Sequence, residues 1–263
     1  MNKTETSIKN SILLFLTLFL FWRCSTDPEP PAPDVNQYLV ESSLKSEFDK
    51  NLIKSFISIS GFPEFVDLVK YDIEIYKLTY KTMVDGEEVI ASGVISIPTG
   101  LPGPLPYLSA HRGTIFSDLE APSENPFAYG FEVIASSGYA TVMPDMIGFG
   151  STKDMDQHYY NKKTNSRVVI DLLKAGEEFL KEKEILLSDQ LFLFGYSQGG
   201  FITLASHEEL EKDEDAYKYW KLITVVEEAD IRSGSETSDP DRISIFETAR
   251  QKVAEYEKSS ATI

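Results

Sequence analysis

The stretch that most constrains this chain is Gln190–Gly200, QLFLFGYSQGG. Four apolar residues, Leu191 to Phe194, run directly into Gly195-Tyr196-Ser197-Gln198-Gly199, and a helix-like segment begins at Phe201. The order strand, tight turn, helix with G-x-S-x-G at the bend reads as a nucleophile elbow. Steric reasons fix the pattern. A serine at the apex of so sharp a turn needs glycine two residues before and after it, where side chains would strike the strand and the helix. The bend lifts the hydroxyl above the sheet and leaves N–H groups at the helix start free to face an anion.

The segments before the elbow set the fold class. Tyr71 to Met83 alternates in polarity, Asp85-Gly86 is a hairpin signal, and Val89 to Ile97 returns as a second strand. Tyr107 to Ala110 is a short strand ending at His111, and Tyr139 to Met143 is another, halted by Pro144-Asp145. Between them Phe127 to Ser136 reads as a helix, and Thr164 to Lys183 as a long amphipathic one with Val168, Val169, Leu172, Leu173, Phe179 and Leu180 on its apolar side. Strands alternating with helices argue a parallel sheet with crossovers, an α/β class. Leu222 to Val226 is one further strand. Glu41 to Ser60 carries helical spacing (Leu44, Phe48, Leu52, Ile53, Phe56) and is expected as a helix.

Three segments carry a family resemblance: HRGT at His111–Thr114, PDMIGFGST at Pro144–Thr152 and GYSQGG at Gly195–Gly200. In that order and spacing the chain resembles an α/β-hydrolase of the secretory lipase and esterase branch, over about residues 71–226. The resemblance implies an α/β-hydrolase fold, a mostly parallel sheet with an antiparallel N-terminal hairpin. It also implies a carboxylic-ester hydrolase in which Ser197 is the nucleophile and the N–H groups of Gln198 and Thr114 form the oxyanion hole. The substrate class it implies is a small-molecule ester or a lipid. Arg112 stands where relatives have histidine.

The resemblance fails past Val226. Glu227 to Asp239 is polar and turn-rich, and Pro240 to Glu257 reads as one helix with Asp239 as its N-cap. The C-terminal strands of the family, whose ends hold the acid and the histidine, are missing from this reading, and the chain resembles a truncated member. Serine needs an imidazole oriented by a carboxylate, in the order Ser, acid, His. Only His207 of the three histidines follows Ser197, ten residues along the helix and about 15 Å away at helical rise. His111 is a structural strand-end residue or, less readily, a displaced base, and His158 reads as exposed. Asp145 reads as a loop-bonding carboxylate. Asp230, Asp239 and Asp241 are candidate acids with no later histidine to orient, so no triad acid is assigned. The chain therefore reads either as a weak or impaired hydrolase or as a surface protein that uses the scaffold for binding.

The termini complete the organisation. Lysines in the first ten residues, the apolar run Ser11 to Trp22 and Cys24 just beyond read as an export signal over residues 1–24, of lipoprotein type, with Cys24 as the lipid attachment site. Residues 25–40 begin as a proline-rich acidic tether, 41–226 form an incomplete hydrolase core, and 227–263 a polar tail with a terminal helix. The expected location is the bacterial cell envelope, with membrane association through the N-terminal lipid. One cysteine permits no intrachain disulfide, and a net charge of −17 over 263 residues disfavours nucleic acid or an anionic membrane surface as an electrostatic partner. No motif for a metal or cofactor is present.

Overall fold

The computed structural model describes residues 36–60, 63–125, 130–212 and 221–227. Among the described residues seven strands, β1 (Leu39–Phe48), β2 (Ile73–Val84), β3 (Glu87–Pro98), β4 (Leu105–His111), β5 (Ala140–Pro144), β6 (Leu187–Tyr196) and β7 (Lys221–Glu227), make one sheet in the order β1-β2-β3-β5-β4-β6-β7. β1, β2 and β3 pair antiparallel, and β3 meets β5 antiparallel as well. The set β5-β4-β6-β7 is parallel. The turn joining β2 to β3 has both central residues, Asp85 and Gly86, at positive φ (52° and 92°), as a two-residue hairpin demands. This is the α/β architecture with an antiparallel opening that the sequence leads one to expect.

One element departs from expectation. Residues 39–48 form strand β1 rather than the first half of a helix, with Phe48 opposite Ile73 and Leu39 opposite Tyr80. The free edge of β2 decides this, because pairing there satisfies backbone groups that a local apolar spacing cannot. Leu44, whose spacing suggested a helix, remains half exposed. The helix α1 (Lys50–Ile59) starts only where the Asp49 carboxylate accepts from the N–H groups of Asn51 and Leu52. Upstream, Gln37, Tyr38 and Leu39 donate their N–H groups to the Glu178 carboxylate, so residues 36–40, read as the end of a tether, belong to the fold.

Helices cover both faces of the sheet. α2 (Lys162–Glu182) and α3 (Gln198–Lys212) pack on one face, where Leu172, Leu173 and Phe179 join Leu78, Ile95, Tyr107 and Val142 in the main core. On the other face, Ile53 of α1 and Ala135 of a 3-10 turn (Phe131–Ser137) bury Ile73, Ile75, Val94 and Met143. The described part of the helix expected from Phe127 is this tighter turn, ended by Gly138 at φ 111°. Cys24 and the export segment lie outside the described residues, as do Asp230, Asp239, Asp241 and the helix expected from Pro240.

Candidate active site

Ser197 joins β6 to α3 with φ at +56°, a left-handed conformation that a non-glycine residue adopts at a cost of about 1–2 kcal/mol. The glycines that flank it are sterically required. A Cβ on Gly195 would run into the carbonyl of Gly199 and the hydroxyl of Thr203. A Cβ on Gly199 would run into the carbonyls of His111 and Arg112. The Ser197 carbonyl accepts from the Gly200 N–H at 2.9 Å and closes the first turn of α3. The N–H of Gln198, the first residue of that helix, has no partner within it, and the positive end of the helix dipole lies there.

The loop after β4 lies against this bend. His111 stands opposite Gly195 in the parallel ladder, and a Cβ on Gly113 would sit 3.6 Å from the Ser197 Cβ. The Thr114 hydroxyl is 3.0 Å from that of Tyr159. The segments carrying the two candidate donors, Gln198 and Thr114, thus border Ser197 from the helix side and the loop side. Such an arrangement can receive a negative oxygen developing beside the serine.

Two buried groups hold the loops in place, and only one was legible beforehand. The Arg112 guanidinium, almost wholly buried, donates to the carbonyls of Gly113 (3.1 Å) and Asp145 (2.5 Å) and lies 4.9 Å from the centre of the Phe149 ring. It therefore ties HRGT to PDMIGFGST, a role that spacing alone does not reveal. Asp145 serves as the loop-bonding carboxylate expected. Its Oδ1 accepts from the Ser123 N–H and its Oδ2 from the Ser92 hydroxyl, while burial pushes its carboxyl above the usual range.

None of the three histidines faces Ser197. His111 is fully buried, with Nε2 2.9 Å from the Ser109 hydroxyl and Nδ1 2.6 Å from that of Thr203. Burial lowers its pKa to about 3, so it is a neutral structural imidazole and a poor proton acceptor. His158 is not exposed, contrary to expectation. Its Nδ1 lies 3.0 Å from the Thr164 hydroxyl and its Nε2 3.8 Å from the Asp85 carboxylate, which wedges it between hairpin and helix. His207 pairs with Glu211 on α3. Among the described residues there is no cluster of histidine, cysteine and carboxylate side chains that could hold a metal ion.

Two exposed aromatic residues stand beside these segments: Tyr196 precedes Ser197 in the chain, and Tyr159 shares a hydroxyl contact with Thr114. Phe116 is 90% exposed, and Leu119, Tyr159 and Tyr196 are also open to solvent. Tyr159 packs edge-on against Tyr160, which packs on Phe201 of α3.

Residues 125–222 match the prolyl oligopeptidase family. A Legionella pneumophila protein designated a hydrolase superposes with a TM-score of 0.64 at 32% identity, over 72% of this chain and 52% of that one. A point mutant of the rice cell wall degrading esterase LipA of Xanthomonas oryzae superposes with a TM-score of 0.60 at 26% identity, over 72% of this chain and 49% of that one. The ligand-bound form of the same esterase gives a TM-score of 0.60 at 25% identity, over 72% and 50%. This chain spans about half the length of these solved structures. No curated protein sequence matches it.

Proposed function

Because this chain belongs to the α/β-hydrolase superfamily, we propose that it is an exported serine hydrolase of carboxylic esters, with Ser197 on its GYSQG bend as the nucleophile. The single observation that carries this reading is the strained φ of Ser197 between strand and helix, with Gly113 alongside. The serine oxygen attacks the ester carbonyl, and the N–H groups of Gln198 and Thr114 take the negative charge of the tetrahedral intermediate. The exposed rings of Tyr196, next to Ser197 in the chain, and of Tyr159, in contact with Thr114, suit the hydrocarbon part of an ester or lipid.

The proton is the weak point of this chemistry. With His111 committed to Ser109 and Thr203, no imidazole of the 263 residues is in place to accept it. In serine proteases the oxyanion hole and binding alone retain about 10³–10⁴ over water when triad members are removed. None of the three histidines is placed to act as that base, so turnover depends on a base other than them. Export and a lipid anchor at Cys24 belong to the same reading, supported by the apolar run that precedes it. The spent His111 favours a second reading, a surface protein that binds an ester-like ligand without turning it over.

An ester hydrolysis assay beside fluorophosphonate labelling, each with Ser197→Ala as control, separates the two. Serine-dependent labelling is expected. Labelling equal in both chains ends the hydrolase reading.

A further inference from the structure

Arg112 and Ile115 fix the two ends of the loop beside Ser197. The Arg112 guanidinium donates to the Asp145 carbonyl, and Ile115 is buried in a cluster with Ala121 and Phe149. Between them Gly113 has no side chain to anchor, so Thr114 is the residue whose side chain can hold the middle of the loop. Its hydroxyl lies 3.0 Å from that of Tyr159, either oxygen able to donate. The bond joins segments 45 residues apart.

Tyr159 stands in a costly turn. The Asn161 N–H donates to the His158 carbonyl at 3.2 Å, which makes Tyr159 and Tyr160 the central residues of a four-residue turn. Tyr160 has φ at +52°, where glycine or asparagine is favoured and a bulky residue is strained by about 1–3 kcal/mol. The surroundings impose the conformation. His158 Nδ1 lies 3.0 Å from the Thr164 hydroxyl, and the Asn161 side chain accepts from the Thr164 N–H to cap α2. The Tyr160 ring centre lies 4.8 Å from that of Phe201 on α3, and Tyr159 packs edge-on against Tyr160 at 4.5 Å. The turn is thus braced on both helices, one of which begins next to Ser197, and the Tyr159 hydroxyl reaches the loop on the serine's other side. Phenylalanine would meet the ring packing alone. The hydroxyl is the part that reaches Thr114.

We infer that Tyr159 is a positioning residue for ester hydrolysis: its hydroxyl holds Thr114 so that the Thr114 N–H stays aimed at the oxygen that turns negative when Ser197 attacks. The inference rests on the reading of Ser197 as nucleophile and Thr114 as donor. A hydrogen bond weakens steeply as its angle closes, and a donor fixed in advance needs no reorganisation at the moment of reaction. Such a brace acts on the transition state, so its loss slows bond formation and leaves reagent binding as it was.

The test follows fluorophosphonate labelling of the full chain over a range of reagent concentrations, which separates reagent binding from the rate constant of bond formation at Ser197. Tyr159→Phe keeps the ring on Tyr160 and removes the hydroxyl. It should lower the rate constant about 2- to 10-fold, the worth of one hydrogen bond, with reagent binding and the urea midpoint unchanged. Thr114→Val should lower it too, and both changes together should cost less than the product of the single losses, because each removes the same bond. An unchanged rate constant in Tyr159→Phe overturns the inference, whatever its urea midpoint. A loss seen only in reagent binding overturns it too, as do losses that simply multiply. Labelling that persists in Ser197→Ala ends the hydrolase reading and this inference with it, whereas Ser197-dependent labelling indifferent to Tyr159→Phe removes the inference alone.

Discussion

The Nδ1 of His111 lies 2.6 Å from the Thr203 hydroxyl, which fastens the end of β4 to the second turn of α3 directly beneath Ser197. The imidazole stays neutral there because burial lowers its pKa to about 3. In the unfolded chain the same group takes a proton near its ordinary value of 6.5. Its contribution to stability is thus complete above about pH 6.5 and drains away as the pH falls toward 3, at about 1.4 kcal/mol per pH unit. His111→Gln should be less stable at neutral pH but lose less on acidification. Urea midpoints for the two chains at pH 7 and pH 5 check this, and equal losses would show that His111 is charged in the fold.

The glycines beside the serine make contrasting predictions. Gly199→Ala forces a methyl onto the backbone carbonyls of His111 and Arg112, which cannot rotate away as a side chain can. Overpacking of this kind costs about 1–3 kcal/mol or more, and the bend should be lost with it. At Gly113 the added methyl meets only ordinary contacts, 3.5 Å from the Tyr196 ring and 3.6 Å from the Ser197 Cβ. Gly113→Ala should therefore melt near the unsubstituted chain while fluorophosphonate labelling of Ser197 slows, because the methyl stands where the reagent must enter. Thermal melts with labelling rates decide both.

The same residues show what a sequence reveals here. The bend at Ser197 was legible because strand, glycine spacing and helix are contiguous, so one local pattern carries all three constraints. The two roles of Gly199, relieving the turn and admitting the His111 carbonyl, differ in this respect, since the second comes from a strand far away in the chain. The same holds for His111, whose partner Thr203 is 92 residues distant. The strand β1 was misread for a related reason. Its pairing with β2 crosses α1, and the apolar spacing from Leu44 to Phe56 mimics one helix across the Asp49 cap that divides two elements.

Asp145 holds three segments together through one carboxylate. Its Oδ1 receives the Ser123 N–H and its Oδ2 the Ser92 hydroxyl, whose oxygen in turn accepts from the Ser151 N–H. An asparagine in its place would present an amide hydrogen to one of these donors and leave it unmatched. Asp145→Asn is expected to lower stability by about 1–3 kcal/mol, the cost of a buried polar group without its partner. Because Arg112 bonds the Asp145 carbonyl, the loop beside Ser197 should loosen too, and hydrogen exchange at Gly113 and Thr114 should quicken. Unchanged exchange would mean that Arg112 keeps its loop without the Asp145 carboxylate in position.

Glu177, on α2, offers the opposite pH dependence. Burial, opposed by Lys174 and reinforced by Glu178, lifts its carboxyl to about 7 from 4.5. A raised pKa means that the fold prefers the protonated form. The contribution is present below about pH 4.5 and disappears as the pH rises through 7, where a charge must be carried in a mostly buried place. Glu177→Gln keeps the shape and removes the charge. It should stabilise the protein at pH 8 by about 1–3 kcal/mol, and that gain should fade as the pH falls toward 4.5. Urea unfolding of both chains at pH 8 and pH 5 measures the difference directly. A gain of the same size at both pH values would assign it to packing rather than to the buried charge.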